Sequence, residues 1–390
     1  MTDMAANNHH SEEAPHLPGE ILQQGRVVEL VLKLEESISE VATALHRHGI
    51  RDVVMTGCGD SLFAAVAAQF AFAQFARWPT QATHALEYSR AFYRCSDSET
   101  LLCALSYGGE TRRTLEAATA ARHAGAQVLA ISVDDHGPIP RLADHFLPNA
   151  APLERSNCRT GSFQAAYLEL VLLAAHLAQR RRALGDSDLV SVRDELGRLA
   201  ASLDEYAPAV RDETAEIGRA LGRAGQVYYL GGGEAYAVAL YGAAKLYETS
   251  SVPAIAQEME QFGHCEIFSL ERDSVVVIIA LGGPFYQRAV EVAAAVRTIG
   301  SRVIGISDVA GFASHCDEFV SVPRVEPGRF MVSLAVVPLQ WMAYHDARHR
   351  GSNPDLVRHK AVNSPLIRES PIWSLEDYVA NDLGKEGGSV

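Results

Sequence analysis

Apolar residues in the first half of the chain follow two spacings. Short continuous apolar runs, typical of buried strands, occupy 52–56, 101–105 and 128–132. Between them, the alanine-rich stretch 62–75 and the stretch 111–123, which stops before Gly125, predict helices. Strands that alternate with helices in this order predict a βαβαβ unit with a parallel sheet.

The same order of elements returns in the second half. The pattern predicts strands at 227–230, 275–280 and 303–306, with helices at 235–249 and 287–298. Further helices are predicted at 28–45, 161–184, 190–206, 211–223 and 331–348. The chain after residue 351 is interrupted by prolines, so it predicts no single regular element.

Small-residue turns follow the predicted strands at matching positions in the two halves. They recur 174 or 175 residues apart: Gly57-Cys58-Gly59 with Gly231-Gly232-Gly233, Ser106-Tyr107-Gly108-Gly109 with Ala280-Leu281-Gly282-Gly283, and Ala130-Ile131-Ser132 with Gly305-Ile306-Ser307. The pattern indicates an internal duplication. Turns at the carboxyl ends of parallel strands are also where such sheets bind ligands.

The length of 390 residues is sufficient for two domains, each with its own core. We expect a disordered N-terminal tail at 1–18, a first domain at 19–205, a second domain at 206–350 and a C-terminal tail at 351–390 that covers the active site. The boundary between the domains is placed near a charged helical connector.

Composition narrows the possible partners. The chain has 34 Lys and Arg against 48 Asp and Glu, which argues against a nucleic-acid or anionic-membrane partner. No apolar run reaches the roughly 18–20 residues of a membrane span, and the start lacks a signal-peptide pattern, so we expect a cytoplasmic protein. The six cysteines lack CxxC spacing, which favours reduced thiols over disulfides or zinc.

Hydroxyl side chains accompany the first-half turns. Ser106 and Thr111 flank the glycines of one turn, and Ser61 follows Gly59-Asp60 in the other. Hydroxyl and glycine N–H groups at the start of a helix favour an anionic ligand. The alternative is that Ser and Thr only cap the helix and glycine only permits the turn.

Several segments together resemble one known family. They are GCGDS (57–61), SYGGET (106–111), RTGSFQ (159–164), GAAKLYE (242–248) and a tail lysine, Lys360. In this order they are similar to the sugar isomerase (SIS) domain family, above all to the isomerase half of glutamine–fructose-6-phosphate aminotransferase and to stand-alone isomerase, deaminase and deglycase relatives. The resemblance implies an α/β fold with two SIS domains, each a flavodoxin-like parallel sheet flanked by helices, related by a pseudo-twofold duplication.

The resemblance also implies a substrate site in the first domain. Ser61, Ser106 and Thr111 are expected to bind the phosphate of a sugar phosphate, and Ser162 to contact the sugar or the anion. A small anionic sugar is therefore the expected substrate.

Four positions of this site depart from the family's usual residues. Asp60 replaces Thr, Tyr107 replaces Gln, Gly108 replaces Ser and Gln164 replaces Lys. An aspartate disfavours a phosphate dianion, and a lost hydroxyl removes a donor worth roughly 0.5–1.5 kcal/mol. Arg159 could restore positive charge or form a surface salt bridge. Because a sulfonate carries one charge, a 6-sulfo hexose such as sulfoquinovose stays open beside a hexose 6-phosphate.

Three residues are implied to be catalytic. Glu248 resembles the base that moves a proton between C2 and C1 through a cis-enediol. His264 resembles a histidine that opens the ring in a neighbouring subunit's site, accompanied by either Glu258 or Glu260. Lys360 resembles a tail lysine that stabilises the enediolate. The structural alternatives are a solvated glutamate at the end of a helix, a packed histidine and an ordinary tail lysine.

The predicted function is therefore metal-free aldose–ketose isomerisation of a hexose with an anionic C6 group. We expect no cofactor and a homodimer with shared active sites. Amino-sugar-6-phosphate deamination, fructosamine-6-phosphate deglycation and non-catalytic sugar-phosphate sensing stay open. His345 and His349 have the i, i+4 spacing of a metal pair, but no third ligand is recognisable, which favours packing and surface roles.

Overall fold

The computed structural model describes residues 15–356, so most of the predicted tails at 1–18 and 351–390 lies outside it. The helices are α1 (His16–Ile21), α2 (Gln24–Lys33), α3 (Glu35–His48), α4 (Asp60–Ala71), α5 (Ala85–Arg90), α6 (Arg112–His123), α7 (Pro138–Leu142), α8 (Gly161–Arg180), α9 (Asp186–Glu213), α10 (Ala215–Leu221), α11 (Glu234–Ser250), α12 (Met259–His264), α13 (Tyr286–Ile299) and α14 (Met331–His349). The strands are β1 (Asp52–Gly57), β2 (Thr80–His84), β3 (Thr100–Leu105), β4 (Gln127–Ser132), β5 (His145–Pro148), β6 (Val227–Gly231), β7 (Ile255–Glu258), β8 (Val275–Ile279), β9 (Arg302–Ser307) and β10 (Glu318–Ser321).

These elements form two compact units. Unit N comprises Gly25–Pro152 and Gly161–Ala200, and unit C comprises 15–24, Leu153–Thr160 and 201–356. The short segment Leu153–Thr160 is flanked in sequence by unit N but packs in unit C. The chain therefore passes from one unit to the other more than once.

Unit N contains a parallel sheet of five strands in the order β2-β1-β3-β4-β5. In its register, Val54 of β1 lies between Gln81 of β2 and Leu102 of β3. β3 is buried along its whole length, as expected for a parallel sheet covered on both faces. The strand order is that of the flavodoxin-like fold.

Unit C repeats this plan. Its five parallel strands lie in the order β10-β9-β8-β6-β7, which is the same order when the strands are numbered from β6. Val276 and Ile278 of β8 pack in one core with Phe262 of α12 and Val303 of β9. The predicted fold class, a duplicated α/β plan with two flavodoxin-like parallel sheets, is confirmed.

The three strands predicted for each half were an incomplete set. The four strands that escaped prediction, β2, β5, β7 and β10, are the outer strands of the two sheets. An outer strand is only partly covered, so it needs no continuous apolar run. In β2, for example, Ala82 and Thr83 are the more covered residues while Gln81 and His84 are exposed.

The helix predicted at 28–45 is two helices rather than one. α2 and α3 part at Leu34, whose N–H donates to the carbonyl of Val31, three residues back. A bond of this i to i−3 type forms a turn tighter than that of an α-helix, and α3 begins after it at Glu35. Apolar spacing persists across the break, so the sequence pattern did not reveal it.

α8 is the core helix of unit N, packed against α3 and α4. Its length and composition alone would allow it to cross a membrane, but its whole apolar window is buried inside the protein. Four polar side chains, those of Ser162, Gln164, Glu169 and His176, are buried along it. Burying such groups costs free energy unless they find partners or lose their charge.

Candidate active site

Two strand-end turns of unit N lie where the chain changes direction across the sheet. After β1 the chain goes to β2 on one side, and after β3 it goes to β4 on the other. β1 and β3 are direct neighbours. The turns that follow them therefore lie side by side at the carboxyl edge of the sheet, which is where open α/β sheets bind ligands.

The first turn brings Ser61 against the end of β3. A Cβ on Gly57 would lie 2.6 Å from the Cβ of Ser61 and 3.1 Å from the carbonyl oxygen of Leu105, so only glycine fits there. Gly59 has φ +57° and ψ −131°, a conformation that glycine alone adopts readily. α4 then begins with Asp60 and Ser61 at its amino end.

The second turn joins its two hydroxyl groups directly. The Oγ of Ser106 lies 2.8 Å from the Oγ1 of Thr111 and accepts the Thr111 N–H at 3.2 Å. Thr111 is the N-cap residue of α6, yet its side chain makes no capping hydrogen bond. The two hydroxyls therefore face each other at the positive end of the α6 dipole, and the Thr111 hydroxyl does not cap the helix.

The glycines of this turn are held by the neighbouring loop. Gly109 has φ +68°, and a Cβ on it would lie 3.1 Å from Pro140 and 3.2 Å from the carbonyl oxygen of Asp134. The backbone carbonyl of Tyr107 accepts the N–H of Val133 at 2.8 Å. These contacts fix Tyr107 and Gly109 on either side of Gly108, and Tyr107 and Gly108 are both partly covered.

Ser162 and Gln164 lie in the first turn of α8, and both are buried. The carbonyl of Ser162 accepts a hydrogen bond from the Nδ2 of Asn149 at 3.0 Å, which fixes the start of this helix. Unit N therefore carries eight of the predicted site residues, in its two strand-end turns and at the start of α8: Asp60, Ser61, Ser106, Tyr107, Gly108, Thr111, Ser162 and Gln164.

The predicted base, Glu248, lies in unit C near the end of α11. Its Oε2 accepts a hydrogen bond from the Nζ of Lys245 at 2.6 Å, and its side chain is 31% exposed. Lys245 has no exposed surface, and its Nζ also donates to the carbonyl of Arg159 at 3.1 Å. The Tyr241 hydroxyl donates to the same carbonyl at 3.0 Å.

Lys245 is thus a site residue that sequence reasoning did not single out. It stands in the quoted segment GAAKLYE, three residues before Glu248, so both side chains lie on one face of the helix. The pairing of a lysine with the predicted base was the available signal. Through Lys245 the structure links the base to the loop that carries Arg159.

The Arg159 side chain turns back along its own loop. Its Nη1 donates to the carbonyl of Glu154 at 2.7 Å. The carboxylate of Glu154 accepts the N–H of Thr160 at 2.6 Å, which closes the loop. The role of Arg159 as a substrate cation or in a surface salt bridge stays a prediction.

His264 lies at the surface of unit C. Its side chain is 71% exposed, and its Nε2 lies 3.0 Å from the Oε1 of Glu260. The other carboxylate oxygen of Glu260, Oε2, lies 2.7 Å from the Nε of Arg288. Glu258 instead caps α12, accepting the N–H groups of Glu260 and Gln261. Of the two glutamates left open by the sequence, Glu260 is the one that contacts the histidine.

Lys360 lies outside the described residues, but the chain that leads to it is anchored in unit C. The carboxylate of Asp355 accepts the backbone N–H groups of His16 at 3.1 Å and Leu17 at 2.8 Å. Its carbonyl accepts the N–H of Asn157 at 2.9 Å. Asp355, which is next to the last described residue, therefore lies beside the loop that carries Arg159.

The counterpart turn in unit C is closed. Gly233 has φ +61° and ψ −132°, nearly the conformation of Gly59. Phe285, the N-cap residue of α13, stands where α6 has Thr111, and its ring occupies the space beside Gly233. The N–H of Gly282 already donates to the buried Asp308 carboxylate at 2.7 Å. The unit C turn is thus filled from within by Phe285 and Asp308, whereas at the matching place in unit N the hydroxyl of Thr111 meets that of the buried Ser106.

Cys58 and the histidine pair His345 and His349 have ordinary surroundings. Burial raises the pKa of the Cys58 thiol, so it carries no charge at neutral pH. The Nε2 of His345 lies 2.7 Å from the carbonyl of Arg211, and the Nε2 of His349 lies 3.1 Å from Arg223. Within residues 15–356 no cluster of three or more His, Cys, Asp or Glu side chains suits a metal ion.

Comparisons with known proteins agree with this fold. Residues 49–177 and 220–345 each match the family model of the SIS domain. The chain is 30% identical over 318 residues to a glutamine–fructose-6-phosphate aminotransferase (isomerizing) of Zymomonas mobilis; the match covers 80% of this chain and 51% of that protein. The chain spans about half the length of the curated relatives it matches.

Solved structures show the same fold. The C-terminal domain of the glucosamine-fructose-6-phosphate aminotransferase of Francisella tularensis superposes with a TM-score of 0.78 at 19% identity, over 87% of this chain and 97% of that one. Tagatose-6-phosphate ketose/aldose isomerase of Escherichia coli gives 0.71 at 17% identity, over 90% and 97%. Because the family model matches both halves and most of the chain, this protein belongs to the SIS domain family and carries two such domains.

Proposed function

We propose that the protein is an aldose–ketose isomerase that acts on a hexose with an anionic group at C6. The observation that carries the proposal is the pair of Ser106 and Thr111 hydroxyls that meet at the start of α6, in the strand-end turn beside the one that carries Ser61. Backbone N–H groups and the helix dipole at such a place attract an oxyanion. The relative from Zymomonas mobilis and the isomerase from Escherichia coli support sugar-phosphate chemistry of this kind.

Glu248 is proposed to transfer the proton. Isomerisation removes the C2 proton of the open-chain aldose and delivers a proton to C1 through a cis-enediol, which one carboxylate can accomplish. Lys245 holds Oε2, whereas Oε1 makes no hydrogen bond within residues 15–356. That oxygen is therefore proposed as the base, with a fixed orientation and partial access to solvent.

His264 and Lys360 complete the proposed site. The exposed imidazole of His264, paired with Glu260, suits a role at a surface shared with a second copy, where it would open the sugar ring. Lys360 follows Asp355 by five residues, and an extended chain of that length spans at most about 18 Å. Its ammonium is proposed to stabilise the enediolate.

The nature of the anion is the finer part of the proposal. Asp60 begins α4 beside Ser61, and Gly108 supplies no hydroxyl to the second turn. A carboxylate in this place repels a dianion more than a monoanion. We therefore propose a 6-sulfo hexose such as sulfoquinovose as a substrate to be compared directly with a hexose 6-phosphate.

A substrate panel tests the function and the anion together. Purified protein is assayed with glucose 6-phosphate, sulfoquinovose, amino-sugar 6-phosphates and fructosamine 6-phosphates, with ketose and ammonia measured separately. Ketose formation without ammonia supports the isomerase. Release of ammonia would establish a deaminase or deglycase, and binding without turnover a sensor. Asp60→Thr should shift the ratio of kcat/KM towards the phosphate, and an unchanged ratio would remove the sulfonate proposal.

A further inference from the structure

A polar cleft lies in unit N, between α3, the end of α8 and α9. Its volume is about 560 Å³, and its lining includes three glutamates, three arginines and His176. His176 follows Ser162 by fourteen residues in α8, which places the two about 21 Å apart along the helix. The cleft is therefore separate from the strand-end turns proposed to bind the sugar anion.

Arg180 brings a positive charge to this cleft without a carboxylate partner among residues 15–356. Its three hydrogen bonds go to neutral oxygens: Nε to Thr43 Oγ1 at 2.9 Å, Nη2 to Ser39 Oγ at 2.8 Å and Nη1 to Gln179 Oε1 at 2.9 Å. A guanidinium has five N–H donors, so one remains on each Nη. Two such donors form a fork that fits a carboxylate or a phosphate.

His176 lines the same cleft, and both of its ring nitrogens are available to a ligand. The residue is 3% exposed, and neither ring nitrogen has a hydrogen-bond partner in the described chain, although Nε2 lies 3.4 Å from the Oε1 of Glu35. Burial lowers its pKa, so the ring is neutral at pH 7 and offers one donor and one acceptor. A polar ligand in the cleft would satisfy groups that are otherwise costly to bury.

The remaining charges of the lining balance. Glu35 and Arg193 neutralise each other through two hydrogen bonds, at 2.7 and 2.6 Å. Glu36 and Glu40, one turn apart and exposed on α3, form no ion pair in the part of the chain that the structure describes. With Arg180 and the exposed Arg47 they leave two positive and two negative side chains.

We propose that this cleft is a second small-molecule site, and that its ligand is a zwitterion with an oxyanion and an ammonium group. The oxyanion binds the Arg180 fork beside His176. The ammonium group lies towards Glu36 and Glu40. A purely anionic ligand would be repelled by these carboxylates, and a purely cationic one would leave the charge of Arg180 without a negative group to balance it.

Calorimetric titration of the full chain tests the site with two zwitterionic probes, phosphoethanolamine and β-alanine. Inorganic phosphate, which is only anionic, and ethanolamine, which is only cationic, serve as probes with charge of one sign. We expect at least one zwitterion to bind about tenfold more tightly than either of these two probes. Arg180→Gln and Glu36→Gln should each weaken that binding about tenfold. Arg26→Gln, a surface arginine of α2, is the matched control and should not.

Other outcomes overturn the assignment. Binding of neither zwitterion, or binding of phosphate as tight as that of phosphoethanolamine, would contradict a zwitterion site. Loss of binding in Ser106→Ala with no change in Glu36→Gln would move the ligand to the strand-end turns. Sugar turnover by Arg180→Gln is measured in parallel, so failure of this site and failure of the isomerase are separate results.

Discussion

A fully buried lysine must place its charge and its donors on partners, because an unpaired buried ammonium is costly. Lys245 does so with Glu248 and the Arg159 carbonyl, and its Nζ lies 4.7 Å from the centre of the Tyr241 ring. One side chain therefore fixes both the proposed base and the loop that carries Arg159. We regard Lys245 as the positioning residue for Glu248.

Replacement of this lysine should separate turnover from binding. In Lys245→Met the carboxylate loses its fixed orientation, so kcat should fall about tenfold or more while KM changes less. Steady-state kinetics on protein shown to be folded by circular dichroism measures this. Lys33→Met, at an exposed position of α2, should behave as wild type. An unchanged kcat in folded Lys245→Met would contradict the positioning role.

Glu169 should make stability depend on pH. Burial raises its pKa well above the ordinary value of 4.5, and the N–H of Ala150 donates to its Oε1 at 2.7 Å. The folded chain keeps this proton whereas the unfolded chain loses it above its ordinary pKa. The stability this group contributes is therefore full below that pH and is lost as pH rises towards the folded-state pKa.

Glu169→Gln keeps the shape and removes the ionisation. Its free energy of unfolding, measured with denaturant at about pH 5 and about pH 8, should fall less with rising pH than that of wild type. At about pH 8 the variant should be as stable as wild type or more so. A steeper loss in the variant than in wild type would show that Glu169 is ionised in the folded chain.

At the scale of elements, the sequence predicted the inner strands and missed the outer ones. β1, β3 and β4 are covered on both faces and form apolar runs, whereas β2 is polar at most positions and exposes Gln81 and His84. The strand-end turns were predictable for a different reason. Their glycines recur in the two halves at a fixed spacing, and the duplicated fold places them at equivalent strand ends.

The difference between the two turns could not be predicted from their glycines. Gly59 and Gly233 share one backbone conformation, but only the folded chain shows that Phe285 and Asp308 fill the unit C turn. Asp308 lies beyond the recurring motif. We therefore expect a titration with substrate to give one anion per chain.

A methyl group at Gly57 should selectively disturb the turn that follows β1 and carries Ser61. In Gly57→Ala the new Cβ would lie 2.6 Å from the Cβ of Ser61, so the start of α4 must shift. We expect KM to rise about tenfold and stability to fall by about 1–3 kcal/mol. Gly197→Ala in α9 is the matched control: nothing lies within 4 Å of its Cβ, and its KM should not change.

At the scale of the whole molecule, the path of the chain was beyond sequence reasoning. Leu153–Thr160 packs in unit C although unit N flanks it in sequence, and Asp355 joins this loop to the amino end of α1. Such contacts join residues up to 339 positions apart, and no local pattern records them. The family resemblance nevertheless gave the fold and an ordered set of candidate residues.

Shared active sites predict that inactive copies rescue each other. If His264 serves a neighbouring copy, Glu248→Gln and His264→Ala should each be inactive alone, and mixing them should restore part of the activity through hybrid dimers. The mixture is assayed after subunit exchange, with each variant incubated alone as control. A wild-type protein that is fully active as a monomer at assay concentration would contradict this arrangement.

Glu248 is proposed to move a proton at C2 of an anionic hexose. The most direct test is exchange of the substrate C2 hydrogen with solvent deuterium, followed by NMR for wild type and Glu248→Gln. We expect exchange by wild type and none by the variant, with substrate affinity nearly unchanged, because the amide keeps the shape but cannot accept the proton. Exchange at the wild-type rate in Glu248→Gln would contradict the account.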